Sequence, residues 1–212
     1  MIKSEVIETK TFFENAKNNI ETTTNRKDLL NNIANTVVAE LTQKKRVNLN
    51  FICTHNSRRS QLAQVWAFYA SEYFKLKNIF CFSGGTEATA FHRNTVKSLQ
   101  KTGFDFNVID FSHQNPRYLI TFKNTNKSIL GYSKTYDNDL NKQPFIAITT
   151  CSNADENCPL IPEAIHRFHL PYKDPKEFDG MQLQADKYLE TSQQIAGEIF
   201  LIFKEITNQL KK

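Results

Sequence analysis

The chain has 212 residues, with 27 Lys and Arg against 22 Asp and Glu for a formal net charge of +5, 40% hydrophobic residues and 12% aromatic residues. A length near 200 accommodates one domain with a full core and an appendage, and 17 Phe and 7 Tyr can fill it, which excludes disorder as the main state. Six Gly and six Pro exclude collagen-like and linker-rich chains, and no apolar run approaches the roughly 20 residues that cross a bilayer. The opening MIKSEVIETK lacks the apolar stretch and cleavage site of a secretory signal, so the expected compartment is the cytoplasm, where the four cysteines are expected to be thiols. The longest basic cluster, Lys44, Lys45 and Arg46, reads as a solvated helix end, so the charge offers no nucleic-acid surface.

Residues 1–46 read as a helical N-terminal extension and 47–212 as the main domain. A weak helical pattern over 5–19 and the TTTN run at 22–25 precede a stronger helix, in which Leu29, Leu30, Ile33, Ala34, Val37, Val38 and Leu41 recur at helical spacing. That apolar face must be covered, and packing on the following domain is expected in preference to a partner. From Val47, VNLNFIC reads as a strand running into a loop, followed by a helix with Leu62, Val65, Trp66, Tyr69 and Tyr73 on one face. A short strand, IFCFS, a Gly-Gly turn at 84 and 85, and a helix carrying Val96 and Leu99 that stops near Gly103 complete a βαβα unit. Parallel strands need such helical crossovers, and their ligands bind beyond the carboxyl ends of the strands.

Residues 112–144 read as an insert, a β-hairpin of RYLITF and SILGYSK around KNTNKS, then a polar loop. The alternation resumes with the strand PFIAITT, a polar segment from Cys151 to Cys158, and the strand AIHRFHL. A long closing helix carries Leu189, Ile195, Ile199, Ile202, Phe203, Ile206 and Leu210. The fold class is therefore α/β, a four-stranded parallel sheet flanked by helices in a flavodoxin-like arrangement, with the helical extension and the hairpin insert added.

Cys53 stands at a strand end, separated by five residues from Arg59, with a helix starting inside the loop Thr54, His55, Asn56, Ser57, Arg58, Arg59, Ser60. A loop of that length can turn its backbone N–H groups inward around a tetrahedral oxyanion while Arg59 grips two oxygens and the helix N-terminus adds positive potential. The same field favours the Cys53 thiolate, to which Ser57 or Ser60 can donate a hydrogen bond.

The loop, with FSGGTEA, TVKSLQKTGFDF, TTCSNADENCP and the YKDP turn, resembles the thioredoxin-coupled arsenate reductases of the low-molecular-weight tyrosine phosphatase superfamily. The resemblance covers about residues 47–210 without the insert. It implies that Cys53 attacks arsenate, that Arg59 binds the oxyanion, and that Asp174, before Pro175, is the general acid. It also implies a relay in which Cys151 forms the first disulfide with Cys53, Cys158 then pairs with Cys151, and thioredoxin or a similar dithiol reduces the product. A helix over 151–158 would hold the two Cα atoms roughly 10 Å apart, beyond disulfide reach, so the segment must unwind. SNADEN is polar and Pro159 disfavours helix at Cys158, so a marginally stable turn is expected there. The family's loop usually has Gly in place of His55 and often a second Cys in place of Arg58; a Cβ at 55 narrows the backbone angles beside the anion, and His55 or Arg58 can add positive charge there.

Rival readings use the same residues. A low-molecular-weight protein-tyrosine phosphatase would form a phosphocysteine on Cys53, with Asp174 as acid and Cys151 and Cys158 only protective. A regulatory oxyanion-binding module without turnover is a non-enzymatic alternative. Cys151, Cys158, His166 and His169 could be taken for a zinc set, but the six residues between the cysteines do not suit one, and packed histidines are favoured. Cys81 reads as a core thiol. The chemistry requires no metal or organic cofactor, and its partners are a small oxyanion substrate and the dithiol reductant.

Overall fold

A computed structural model describes residues 6–157 and 160–211. In chain order it contains α1 (Thr9–Ala16), α2 (Thr24–Lys44), β1 (Val47–Cys53), α3 (Arg59–Tyr73), β2 (Ile79–Gly85), α4 (Arg93–Lys101), β3 (Phe104–Asp110), β4 (Arg117–Phe122) and β5 (Ile129–Gly131). It continues with β6 (Phe145–Thr149), α5 (Ser152–Asn157), β7 (Ala164–His169), a one-turn 3-10 helix (Pro175–Phe178) and α6 (Gln184–Leu210). Among the described residues no helix is long and apolar enough to cross a membrane.

The central sheet is parallel, in the order β2-β1-β6-β7. Every residue of β1 and β6 is buried, as parallel strands covered on both faces require. Strand order reverses beside β1, so Cys53 and Cys151, at the ends of neighbouring strands, face the crevice where such sheets bind ligands.

Three local expectations are corrected. Gly84 and Gly85 form the end of β2 rather than a turn. They are glycines because of close approach: a Cβ at 84 would overlap Tyr136 Cα, and one at 85 would overlap the Glu87 carbonyl oxygen and lie 2.6 Å from that of Thr54. The expected hairpin pairs Arg117–Phe122 with Ile129–Gly131, but it belongs to a three-stranded antiparallel sheet, β3-β4-β5, that starts at Phe104, ahead of 112. Gly103, at φ 87°, ends α4, and the alternation of Phe104, Phe106 and Val108 carries the next strand.

Residues 152–157 form the helix α5 instead of a marginal turn. Its Asp155 carboxylate accepts from Thr149 Oγ1 at 2.8 Å and from Arg167 at 2.6 Å, and Ala154 is fully buried beneath it. Burial opposes the charge on Asp155, yet these hydrogen bonds hold its carboxyl below the usual carboxylate value. Tertiary anchoring has overridden poor intrinsic propensity.

The extension lies inside the core. Thr23 caps α2 by accepting from the Arg26 N–H, and Lys45 ends that helix in the left-handed region at φ 60°. Leu30, Ile33, Ala34 and Val37 are buried in the main core cluster with α6, as expected for a face covered by the domain. From α1, Phe12 and Phe13 stack on Trp66 with ring centroids at 5.3 and 5.7 Å, while Phe104 meets the same indole edge-on at 5.0 Å. Arg26 clamps Glu198 with two hydrogen bonds of 2.9 and 2.8 Å and donates to the Pro171 carbonyl at 3.0 Å. The fully buried Phe13 gives the test: Phe13→Ala is expected to cost about 3–5 kcal/mol in urea unfolding, whereas an accessory arm would lose under about 1 kcal/mol.

Candidate active site

The loop between β1 and α3 turns on Asn56, a fully buried residue at φ 46°. Asparagine tolerates this left-handed conformation better than most residues, and here its side chain is locked. Nδ2 donates to Ser60 Oγ at 2.8 Å, while Oδ1 accepts from the Lys134 backbone N–H at 3.0 Å and from Gln61 Nε2 at 3.1 Å. Ser60 Oγ lies 3.0 Å from Cys53 Sγ. Because that oxygen already accepts from Asn56, its own proton is available to the sulfur, as a thiolate requires.

The carbonyls of the loop all point outward. Those of Cys53 and Thr54 accept from the N–H groups of Thr86 and Glu87, that of His55 from Ser133 Oγ, that of Asn56 from Gln61 Nε2 and that of Ser57 from the His92 N–H. The N–H groups of residues 54–58 have no acceptor among the described residues. A row of free donors ahead of a helix N-terminus is an anion nest, and it stands at the sulfur of Cys53.

Arg59 opens α3 and sends its guanidinium back across the loop mouth. Nη1 donates to the Tyr172 carbonyl at 3.1 Å and Nη2 to Asp174 Oδ2 at 2.6 Å. Asp174 Oδ1 caps the following 3-10 helix through the Lys176 N–H at 3.0 Å. The arginine and the carboxylate expected to act on the oxyanion therefore hold each other. The Tyr172 that orients Arg59 is packed under the Arg26 guanidinium, 5.1 Å from its ring, so the extension reaches the site through one intermediate residue.

Cys151 follows β6, which is hydrogen-bonded to β1 and joined to its end by Thr150, whose N–H and hydroxyl both donate to the Ile52 carbonyl. Cys53 and Cys151 belong to one buried apolar cluster with Ile52, Phe145, Ala147, Ala154 and Ile161. Thr54 Oγ1 lies 3.6 Å from Cys151 Sγ, and that sulfur accepts the Ala154 N–H at 3.4 Å at the start of α5. Cys158 lies outside the described residues. Cys81 is buried in β2, where burial pushes its thiol well up.

His55 pairs with Glu87 at 2.9 Å on the surface. Arg58 corrects the expectation of added charge on the anion: it turns away, to Asp179 at 2.7 Å and Tyr188 Oη at 2.7 Å. His166 bonds Glu40, and His169 bonds Thr149, with Asp155 at 3.6 Å, so both histidines are engaged structurally. Sequence reasoning missed Lys134, Gln61, Tyr172 and Asp179. The contact from Asn56 to Lys134 spans 78 residues and that from Arg58 to Asp179 spans 121, so no local spacing marks them.

No family model matches the chain. The arsenate reductase of Brevibacillus brevis is 30% identical over 147 residues, 68% of this chain and 90% of that protein. Arsenate reductase 1 of Staphylococcus saprophyticus is 31% identical over 144 residues, 65% and 86% of the two chains. The chain belongs to the arsenate reductase family. The fold of these reductases is shared with phosphatases: a low molecular weight protein tyrosine phosphatase from T. tengcongensis superposes with a TM-score of 0.50 at 16% identity, over 74% of this chain and 98% of that one.

Lys134 is buried with its Nζ 5.0 Å from the Tyr132 ring centroid and without a hydrogen-bond partner among the described residues. Burial pushes its ammonium down to about 8 from an ordinary 10.5. The unfolded chain thus binds the extra proton between those values, and stability rises with pH across that window. Lys134→Met is expected to stabilise the fold at pH 7 by up to about 3 kcal/mol, a gain that shrinks toward zero as urea unfolding is repeated above pH 10. Asp174→Ala frees Arg59 from its carboxylate, so phosphate binding measured by calorimetry is expected to tighten about fivefold, the worth of one partly exposed ion pair.

Proposed function

We propose that this member of the arsenate reductase family reduces arsenate to arsenite with a Cys53 nucleophile and a relay through Cys151 and Cys158. The observation that carries the reading is the parallel pairing of β1 with β6, which delivers two buried thiols to one apolar cluster beside an anion nest.

Arsenate enters the nest, taking the free N–H donors of residues 54–58, and draws Arg59 off Asp174. The Cys53 thiolate, with a hydrogen bond from Ser60, attacks the arsenic; Asp174, an anion while paired with Arg59, takes up a proton from solvent once released and passes it to the departing oxygen, which leaves as water. Cys151 loses its proton and attacks Cys53 Sγ; the S–As electron pair stays on arsenic, which departs as arsenite, and a Cys53–Cys151 disulfide forms. Cys158 then attacks Cys151 and releases Cys53 as thiolate. An external dithiol such as thioredoxin takes up the Cys151–Cys158 disulfide, supplying the two electrons that arsenic gained.

The last exchange requires α5 to open, since Cys151 Sγ caps it and its Asp155 is fastened to Thr149 and Arg167. The helix is six residues long, too short to persist without those anchors. Burying Cys151 under α5 keeps its thiol from solvent oxidants until Cys53 is loaded.

A thioredoxin and thioredoxin reductase assay that follows arsenate-dependent NADPH oxidation tests this, with p-nitrophenyl phosphate hydrolysis in parallel. Cys53→Ser, Cys151→Ser and Cys158→Ser are each expected to lower arsenate turnover at least a hundredfold, while only Cys53→Ser stops ester hydrolysis. Wild-type protein that hydrolyses the ester through Cys53 and oxidises no NADPH would replace the reductase with a phosphatase.

A further inference from the structure

Arg58 and Arg59 are consecutive, yet their side chains grip two aspartates at opposite ends of the same one-turn helix. Arg59 holds Asp174, its N-cap, at 2.6 Å, and Arg58 holds Asp179, its C-cap, at 2.7 Å. The first pair is half of the reaction site and must break when an oxyanion takes Arg59. The second is built to persist. Asp179 Oδ1 accepts from Tyr188 Oη at 2.7 Å and from Asn94 Nδ2 at 3.2 Å, and Tyr188 Oη also accepts from Arg58 Nε at 2.7 Å and lies 3.1 Å from His92 Nδ1. Four pieces of structure meet there: the N-caps of α3 and α4, the first turns of α6 and the end of the 3-10 turn.

Ahead of Asp174 the segment is fastened at Tyr172, whose N–H donates to the Thr150 carbonyl at 3.1 Å and whose carbonyl accepts from Arg59; beyond Pro175 little but Asp179 fastens it. Between 171 and 184 the buried side chains are Tyr172 and Pro175, and Met181 and Leu183 are more than half exposed. Burial opposes the Asp179 charge, but the hydrogen bonds from Tyr188 and Arg58 hold its carboxyl below the usual carboxylate value, so the clamp is ionic throughout the neutral range. Burial, then the nearby Arg58 charge, pushes His92 down, and burial pushes the Tyr188 phenol up to about 12, so neither competes for that charge near neutrality.

We infer that Asp179 is a positioning residue: clamped by Arg58 and Tyr188, it anchors one end of the 3-10 turn so that Asp174, at the other end, leaves Arg59 and meets the leaving oxygen on a fixed hinge. This rests on the role proposed above for Asp174. It also gives Arg58 a function, since its charge is spent on the hinge and not on the anion. A misplacement of about 1 Å at a reacting group can cost a hundredfold in rate, so the anchor matters although it lies outside the site.

The test compares Asp179→Asn, Asp179→Glu, Asp174→Asn and the double variant Asp174→Asn with Asp179→Asn. The measured quantities are single-turnover arsenite release and, in parallel, hydrolysis of O-phosphotyrosine, whose leaving oxygen also needs an acid. Asp179→Asn is expected to lower both rates at least tenfold with phosphate affinity within about threefold of wild type, Asp179→Glu to recover most of the loss, and the double variant to be no slower than Asp174→Asn. An unchanged rate, or losses that multiply in the double variant, would overturn the inference, because a merely structural residue does not act through Asp174. Amide exchange at 176–181 separates this from a failure of the functional reading. If wild-type protein turns over neither substrate, the arsenate reading is lost, and Asp179 is then judged by whether Asp179→Asn speeds that exchange at least tenfold without lowering the melting temperature by more than a few degrees; unchanged exchange rejects the hinge.

Discussion

Asn56 is the constraint on which the site depends. The chain must pass from a buried strand to a buried helix in five residues while turning every carbonyl outward, and only a left-handed residue in the middle of the loop allows that. Its side-chain amide then joins Cys53, through Ser60, to the backbone of Lys134 on a segment that itself pairs with the end of β2. The N–H groups left over are fixed before any anion arrives. Such preorganised donors need no rearrangement as charge develops on the oxyanion, which is where electrostatic catalysis gains most.

The same economy of contacts pairs the charges at the site. Arg59 and Asp174 satisfy each other, so neither is left as an uncompensated, largely buried charge. In the proposed reaction an oxyanion offers Arg59 a bidentate partner in place of the carboxylate, which releases Asp174. Around Cys151, α5 is held by the Asp155 carboxylate and the buried Ala154, and in the proposed relay this short helix opens.

The additions to the parallel domain are structural partners of the site. The extension supplies Phe12 and Phe13 to the Trp66 cluster and, through Arg26, supports the Tyr172 carbonyl that orients Arg59. The antiparallel sheet ends at Gly131 and feeds Ser133 and Lys134 directly against the outer side of the loop. The Lys134 ammonium, without a hydrogen-bond partner among the described residues, is the evident cost of that bracing, a buried cation whose backbone, and not its charge, is what the loop uses.

The sequence by itself determined the parts of this protein in which cause and effect lie close along the chain. The parallel α/β alternation, the helical face of residues 29–41 and the loop from Cys53 to Arg59 were legible because strand period, helix period and a strand-loop-helix junction are local patterns. The strand at 104–110 carried a legible alternation that the preceding helix obscured, and the pair of glycines at 84 and 85 imitated a turn although their purpose is close packing. Tertiary structure alone decided the rest. That α5 forms at all, that Arg58 points away from the anion, that Lys134 braces Asn56 and that Asp179 anchors the segment bearing Asp174 depend on contacts between residues far apart in sequence, apart from the Thr149–Asp155 bond. A hydrogen bond or ion pair of that kind leaves no periodic trace, because its partners are brought together only by the packing of the elements that carry them.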